Sequence, residues 1–204
     1  MKLYTVGDSH SIIFSKSKHF TELFWLGGLT MNRIGRDLIN FKSIDACPIE
    51  PVHYSIPNDG VLLVSFGEID VRNHIHKQVE LGRDINEICN TLVSNYIRCI
   101  LINRELNGYK NLAILAINPP RKADDPSIEM KGSDDQRKRY QVLLNLYLAH
   151  YCKENSFYLL DLTSYYSDVD GFLDANKRDN TVHLVFSDYM EESIEKMLDH
   201  FKNK

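Results

Sequence analysis

Four short stretches of the chain are apolar without alternation: Leu3–Val6, Val61–Phe66, Leu112–Ile117 and Phe157–Leu162. A strand with one wet face alternates, so unbroken apolar runs are expected where a sheet is covered on both faces. Between the runs the period lengthens to that of a helix. From His76 to Leu106, apolar side chains recur at Ile85, Ile88, Leu92, Val93, Tyr96, Ile97 and Ile100, which predicts one long helix, with or without a break. "DDQRKRYQVLLNLYLAHYCKEN" follows Ser133, opens on acids and carries Tyr140, Leu143, Leu144, Tyr147, Leu148 and Tyr151 on one stripe. "SDYMEESIEKMLDHF" opens on Ser187, a capping residue. Strands separated by helices predict an α/β fold with a mostly parallel sheet and right-handed crossovers.

Composition narrows the picture. The 204 residues are 43% hydrophobic and 25% charged, which suits a single domain spanning 1–204, either a whole protein or one domain of a longer chain. The net charge of −4 argues against a nucleic-acid or anionic-membrane surface. "VLLVSF" and "LAILAI" are too short to cross a bilayer, and "MKLYTVGDSHS" does not read as a signal peptide, so a cytoplasmic location is expected. Cys47, Cys89, Cys99 and Cys152 form no CxxC pair and read as reduced, buried thiols.

In a doubly wound sheet, ligands sit beyond the carboxyl ends of the strands. Polar clusters fall there: "GDSH" after the first run, "GEIDVRNH" (67–74) after the second, "NPP" after the third, and "RDNTVHL" (178–184) before the last helix. The polar loop 117–135, with three prolines, is either a lid or a plain surface excursion. His10, His74 and His76 lack the carboxylate or thiolate spacing of a ligand set, so no metal is expected; a P-loop and a dinucleotide fingerprint are also missing.

These clusters resemble the blocks of the SGNH, or GDSL, hydrolase superfamily. Gly7-Asp8-Ser9 is similar to the first block, "NRIGRD" (32–37) to the second, "FGEIDVR" (66–72) to the third and "DNTVH" (179–183) to the last, in the family's order. The "GDSHS" and "GEIDxR" forms resemble a subgroup associated with carbohydrate modification. The resemblance implies a three-layer α/β/α sandwich, flavodoxin-like, with about five strands. It also implies Ser9 as nucleophile, His183 as its base and Asp179 as the group that orients the imidazole, with an oxyanion hole from the amides of Ser9 and Gly35. Asp8, His10, Asn32, Arg36, Glu68, Asp70 and His74 flank the same strand ends and are candidate substrate contacts. Asp70 and Arg72 also read as an ion pair that would pin the third block's loop.

The chain departs from the family pattern twice. Ile69 stands where the third block usually has an Asn that donates to the oxyanion; Arg72, or else Arg36, is the candidate replacement. The usual Asp-x-x-His is here Asp179-x-x-x-His183, with Asn180 at the usual spacing. Either Asp179 reaches the ring through a bulge, or Asn180 orients it, or Ser9 and His183 act as a dyad.

The expected activity is serine-dependent acyl transfer on a carbohydrate. Acetyl transfer from acetyl-CoA, as co-substrate rather than bound cofactor, to a sugar or nucleotide-sugar comes first, with Arg33, Arg36, Arg72, Arg121 and Lys122 as partners for phosphates. A short-chain carbohydrate esterase and an inactive sugar-binding module are the alternatives.

Overall fold

The computed structural model describes residues 1–41, 43–44, 52–53 and 60–204. Cys47 lies outside them. Five strands, β1 (Lys2–Gly7), β2 (Phe20–Trp25), β5 (Gly60–Ser65), β6 (Asn111–Leu115) and β7 (Tyr158–Leu160), form one sheet in the order β2-β1-β5-β6-β7. Every pairing in it is parallel. A small antiparallel pair, β3 (Ser43–Ile44) with β4 (Val52–His53), lies apart.

Side-chain alternation sorts each central strand into two cores. Tyr4, Val6, Leu62, Val64, Leu112 and Ile114 pack into one core, with Met31 and Ile34 of α1 (Met31–Asp37), a row from Ile88 to Ile100 of α3 (Ile85–Asn107), and Tyr140, Leu144 and Leu148 of α4 (Asp134–Glu154). Leu3, Val61, Leu63, Ala113 and Leu115 face the other core, with Phe14, Tyr166 of α5 (Thr163–Tyr166) and Met190, Ile194, Met197 and Leu198 of α6 (Asp188–Lys202). With both faces covered, the runs are apolar at every position and the protein is a three-layer α/β/α sandwich.

Strand β2 escaped the sequence reading. Its residues are mostly exposed or half-buried, as befits an edge, and its polar Thr21 and Glu22 hide it from a search for apolar runs. The expected long helix is divided into α2 (Ile75–Glu80) and α3: Gly82 takes a left-handed φ of +79°, and Asp84 caps the restart by accepting from the Asn86 and Glu87 amides. Helix α4 begins with a capping box between Ser133 and Gln136, and Ser187 caps α6. Cys89, Cys99 and Cys152 are free and buried. Among the described residues no helix is long and apolar enough to cross a membrane.

Candidate active site

Because all five strands run the same way, their carboxyl ends share one rim, and the first, third and fourth sequence blocks meet there. Gly7 ends β1 against β5 so closely that an added Cβ would stand 2.5 Å from the Ser65 carbonyl oxygen. No other residue fits that approach. The chain then turns into a 3-10 helix, Ser9–Lys16, capped by the Asp8 carboxylate on the His10 amide (2.9 Å). Ser9 opens this helix, so its N–H has no partner within it and is available to a ligand.

His183 Nε2 lies 2.8 Å from Ser9 Oγ. On the other side of the ring, Nδ1 is 2.8 Å from Thr181 Oγ1 and 3.2 Å from Asp179 Oδ2. The longer Asp-to-His spacing is closed locally. Asp179 Oδ1 accepts from the Thr181 amide (2.7 Å) and hydroxyl (2.6 Å), and the Asp179 amide donates to the His183 carbonyl (2.9 Å). The bulge therefore places Asp179 at the ring, while the Asn180 carbonyl is taken by Arg121. Partial burial raises the Asp179 carboxyl, but the Thr181 hydroxyl and amide and the His183 ring outweigh it and hold the group below the usual carboxylate range. Thr181 was not singled out from the sequence, although a Thr two residues after an Asp is a recognisable turn signal.

The remaining candidates take other parts. Gly35 lies inside α1, where helical amides bond four residues back. An added Cβ there would stand 2.8 Å from the Asn95 carbonyl carbon of α3, so this glycine serves close helix packing. Gly28, in the turn after β2, borders the third block: its added Cβ would meet Ile69 Cδ1 at 3.9 Å, and Leu26, two residues before it, donates to the Gly7 carbonyl (2.9 Å).

Asp8, His10 and Asp70 are buried, at 1%, 5% and 0% exposed, and Asp8 and His10 line a small cavity of about 10 Å³ with Glu68 and Asn118. Asp70 does not pair with Arg72; it accepts from the Met31 (2.6 Å) and Asn32 (3.2 Å) amides at the start of α1. Burial pushes its carboxyl up to about 7, the two amides pull it down, and the charges of Asp8 and Glu68 add to the rise. Arg72 instead bonds Glu68 (2.9 Å) and the Glu129 carbonyl (3.3 Å), and its contacts run to the loop after β6, not to Ser9. Arg36 is exposed and paired with Asp37 (2.6 Å). Asn32 and His74 line a cavity of about 230 Å³ with Gln78, Arg83 and Asn95. Burial, helped by Lys77, Arg83 and Arg36, lowers the His74 ring below its usual range.

His10 stays charged at neutral pH. Burial lowers its basicity, but the hydrogen bond and charge of Asp8, with help from Glu68, outweigh that and push it up to about 9. The loop 117–135 is pinned: Asn145 and Gln141 bond the Ile117 backbone, and Arg121 bonds Asp124. Among the described residues, one group of side chains, His19, Glu191 and Glu195, draws close enough to share a cation. Lys18 already sits on Glu195, 2.5 Å away.

Neither a protein-family model nor a curated protein sequence matches the chain. Solved structures do. A GDSL-like lipase from Bacteroides thetaiotaomicron superposes with a TM-score of 0.57 at 13% identity, over 98% of this chain and 88% of its own. The chain has the SGNH hydrolase fold. Two further structures of this fold cover 100% of this chain and 99% of their own, each with a TM-score of 0.53: a carbohydrate acetylesterase from Sinorhizobium meliloti at 13% identity and an aryl esterase from M. smegmatis at 12%. At such identities the likeness speaks for the SGNH fold alone.

Proposed function

We propose that this protein is a serine esterase that removes short acyl groups, acetyl above all, from a carbohydrate. The 2.8 Å contact between Ser9 Oγ and His183 Nε2, backed on Nδ1 by Thr181 and Asp179, carries this reading. A serine hydroxyl is a poor nucleophile until a base can take its proton, and this base is held in one tautomer by acceptors on its far side. His183 takes the Ser9 proton as Oγ attacks the ester carbonyl, then returns it to the departing alcohol. Water enters next, loses a proton to the same ring, and releases the acid and free Ser9.

The oxyanion is assigned to the Ser9 amide and to the Gly28 amide, in place of Gly35. Ile69 cannot donate, so this hole has one donor fewer than the family pattern. A carbohydrate acetylesterase among proteins of the same fold supports the substrate class. Acetyl transfer from acetyl-CoA to a sugar is the second reading, and the side chains weaken its charge argument. All five cations considered for phosphate are already paired: Arg33 and Arg36 with Asp37, Arg72 with Glu68, Arg121 with Asp124, and Lys122 with Asp170.

The test is direct. A chromogenic acetyl ester should be turned over, with Ser9 labelled by a fluorophosphonate. Acetylated sugars should then yield free acetate. Acetyl-CoA consumed in step with sugar acetylation would replace hydrolysis by transfer. No turnover and no labelling would leave a sugar-binding module.

A further inference from the structure

The base of this site sits on a loop with little structure of its own. Between α5 and α6, residues 178–184 contain one isolated antiparallel bridge, Arg178 with Leu184. Their local hydrogen bonds, Asp179 to Thr181 and His183, give the loop its shape but not its place over Ser9. Burial of Val182 and Leu184 attracts the loop to the protein without fixing a direction.

Direction comes from two buried cations elsewhere in the chain, one in the loop after β6 and one in the 3-10 helix after β1. Arg121, 8% exposed in the loop after β6, donates Nη1 to the Asn180 (2.8 Å) and Thr181 (3.0 Å) carbonyls. His10 Nε2 lies 3.2 Å from the next carbonyl, that of Val182. Three consecutive carbonyls are thus gripped from two sides. Each grip is itself oriented: Arg121 Nε bonds Asp124 Oδ1 (2.6 Å), whose other oxygen takes Arg178, and His10 Nδ1 rests on Asp8 (3.3 Å). The His10 and His183 rings lie 4.8 Å apart, so the residue beside the nucleophile also borders the base.

We propose that Arg121 and His10 are positioning residues that hold the carbonyls of 180–182 and thereby keep His183 within reach of Ser9. The proposal rests on the reading of Ser9 and His183 as nucleophile and base. Only a forked guanidinium spans two carbonyls and a carboxylate at once, so lysine is not an equivalent here.

The test follows the rate of Ser9 labelling by a fluorophosphonate, with turnover of a chromogenic acetyl ester and thermal unfolding measured on the same full-length chains. Arg121→Ala is expected to lower kcat and the labelling rate about 10²-fold, the usual cost of a misplaced catalytic group, with KM little changed. Added guanidinium chloride at millimolar concentration should restore part of the rate in Arg121→Ala and none in wild type. Arg121→Lys, which keeps the charge, should be slow at an unchanged unfolding temperature, and it carries the test if the alanine variant does not fold. His10→Asn, too short to reach Val182, should be slow as well. Wild-type rates in the Arg121 variants, or a loss that appears in KM alone and resists guanidinium, would overturn the clamp while leaving the triad standing. Wild-type labelling in His10→Asn would overturn the part given to His10. A wild-type protein that is not labelled at all would remove both the clamp and the esterase reading.

Discussion

The two halves of the site are built differently. Ser9 stands one residue beyond Asp8, which is 1% exposed and whose amide is bonded to the Ser65 carbonyl (3.2 Å). The sheet itself fixes the nucleophile. His183 and Asp179 have side chains 32% and 45% exposed, on a loop with no regular element. Side chains reaching in from elsewhere fix the base. Substitutions at Ser9 and in the strand behind it should therefore act either on chemistry or on global stability, and those in the His183 loop and at the residues that grip it, Arg121 and His10, should act on geometry.

The largest effect is expected from Ser9→Ala, which should cut kcat by about 10⁴-fold or more while the unfolding temperature stays put. Comparable turnover in that variant would end the covalent reading. Asp179→Asn should cost less, about 10³-fold, because Thr181 still accepts from His183 Nδ1; steady-state kinetics on an acetyl ester measures this. A loss as large as that of Ser9→Ala would show that Thr181 shares none of the load.

A third expectation concerns pH. The His10 pKa is raised from its ordinary 6.5 to about 9 in the folded protein, so folding favours the protonated ring. Its contribution is complete below 6.5 and is lost as pH rises through 9, at most about 3 kcal/mol. Denaturant titrations across that window should show stability falling, and His10→Gln should flatten the slope. The smallest effect belongs to Gly35→Ala: overpacking against Asn95 should cost about 2 kcal/mol of stability with activity per folded molecule retained. A hundredfold loss of kcat at unchanged stability would return Gly35 to the oxyanion hole.

Much of this was legible from residue patterns. The buried strands announced themselves because two covered faces leave no polar positions, and Ser133 and Ser187 announced their helices because caps are local. The likeness of the polar blocks to those of the SGNH superfamily pointed to Ser9 and His183, and left open whether Asp179 or Asn180 orients the ring. Four things did not show. β2 alternates weakly because it lies at an edge. Gly35 and Gly28 look alike in a string of letters, and only the packing of α1 on α3 separates them. Asp70 and Arg72 are of opposite charge and close in sequence, yet the α1 amides and Glu68 are better partners in space. The grip of Arg121 on the Asn180 and Thr181 carbonyls depends on how a loop folds back over some 60 residues of chain, which no periodicity records.

The three thiols in the larger core carry a practical consequence. Burial pushes Cys89 and Cys152 up to about 12 and Cys99 to about 11, the last against a hydrogen bond from Asn103. Alkylating reagents attack the thiolate, which is scarce here and sheltered from collision. Iodoacetamide uptake at these positions then becomes an internal clock for global opening, readable by mass in the same tube that reports whether the serine has been modified.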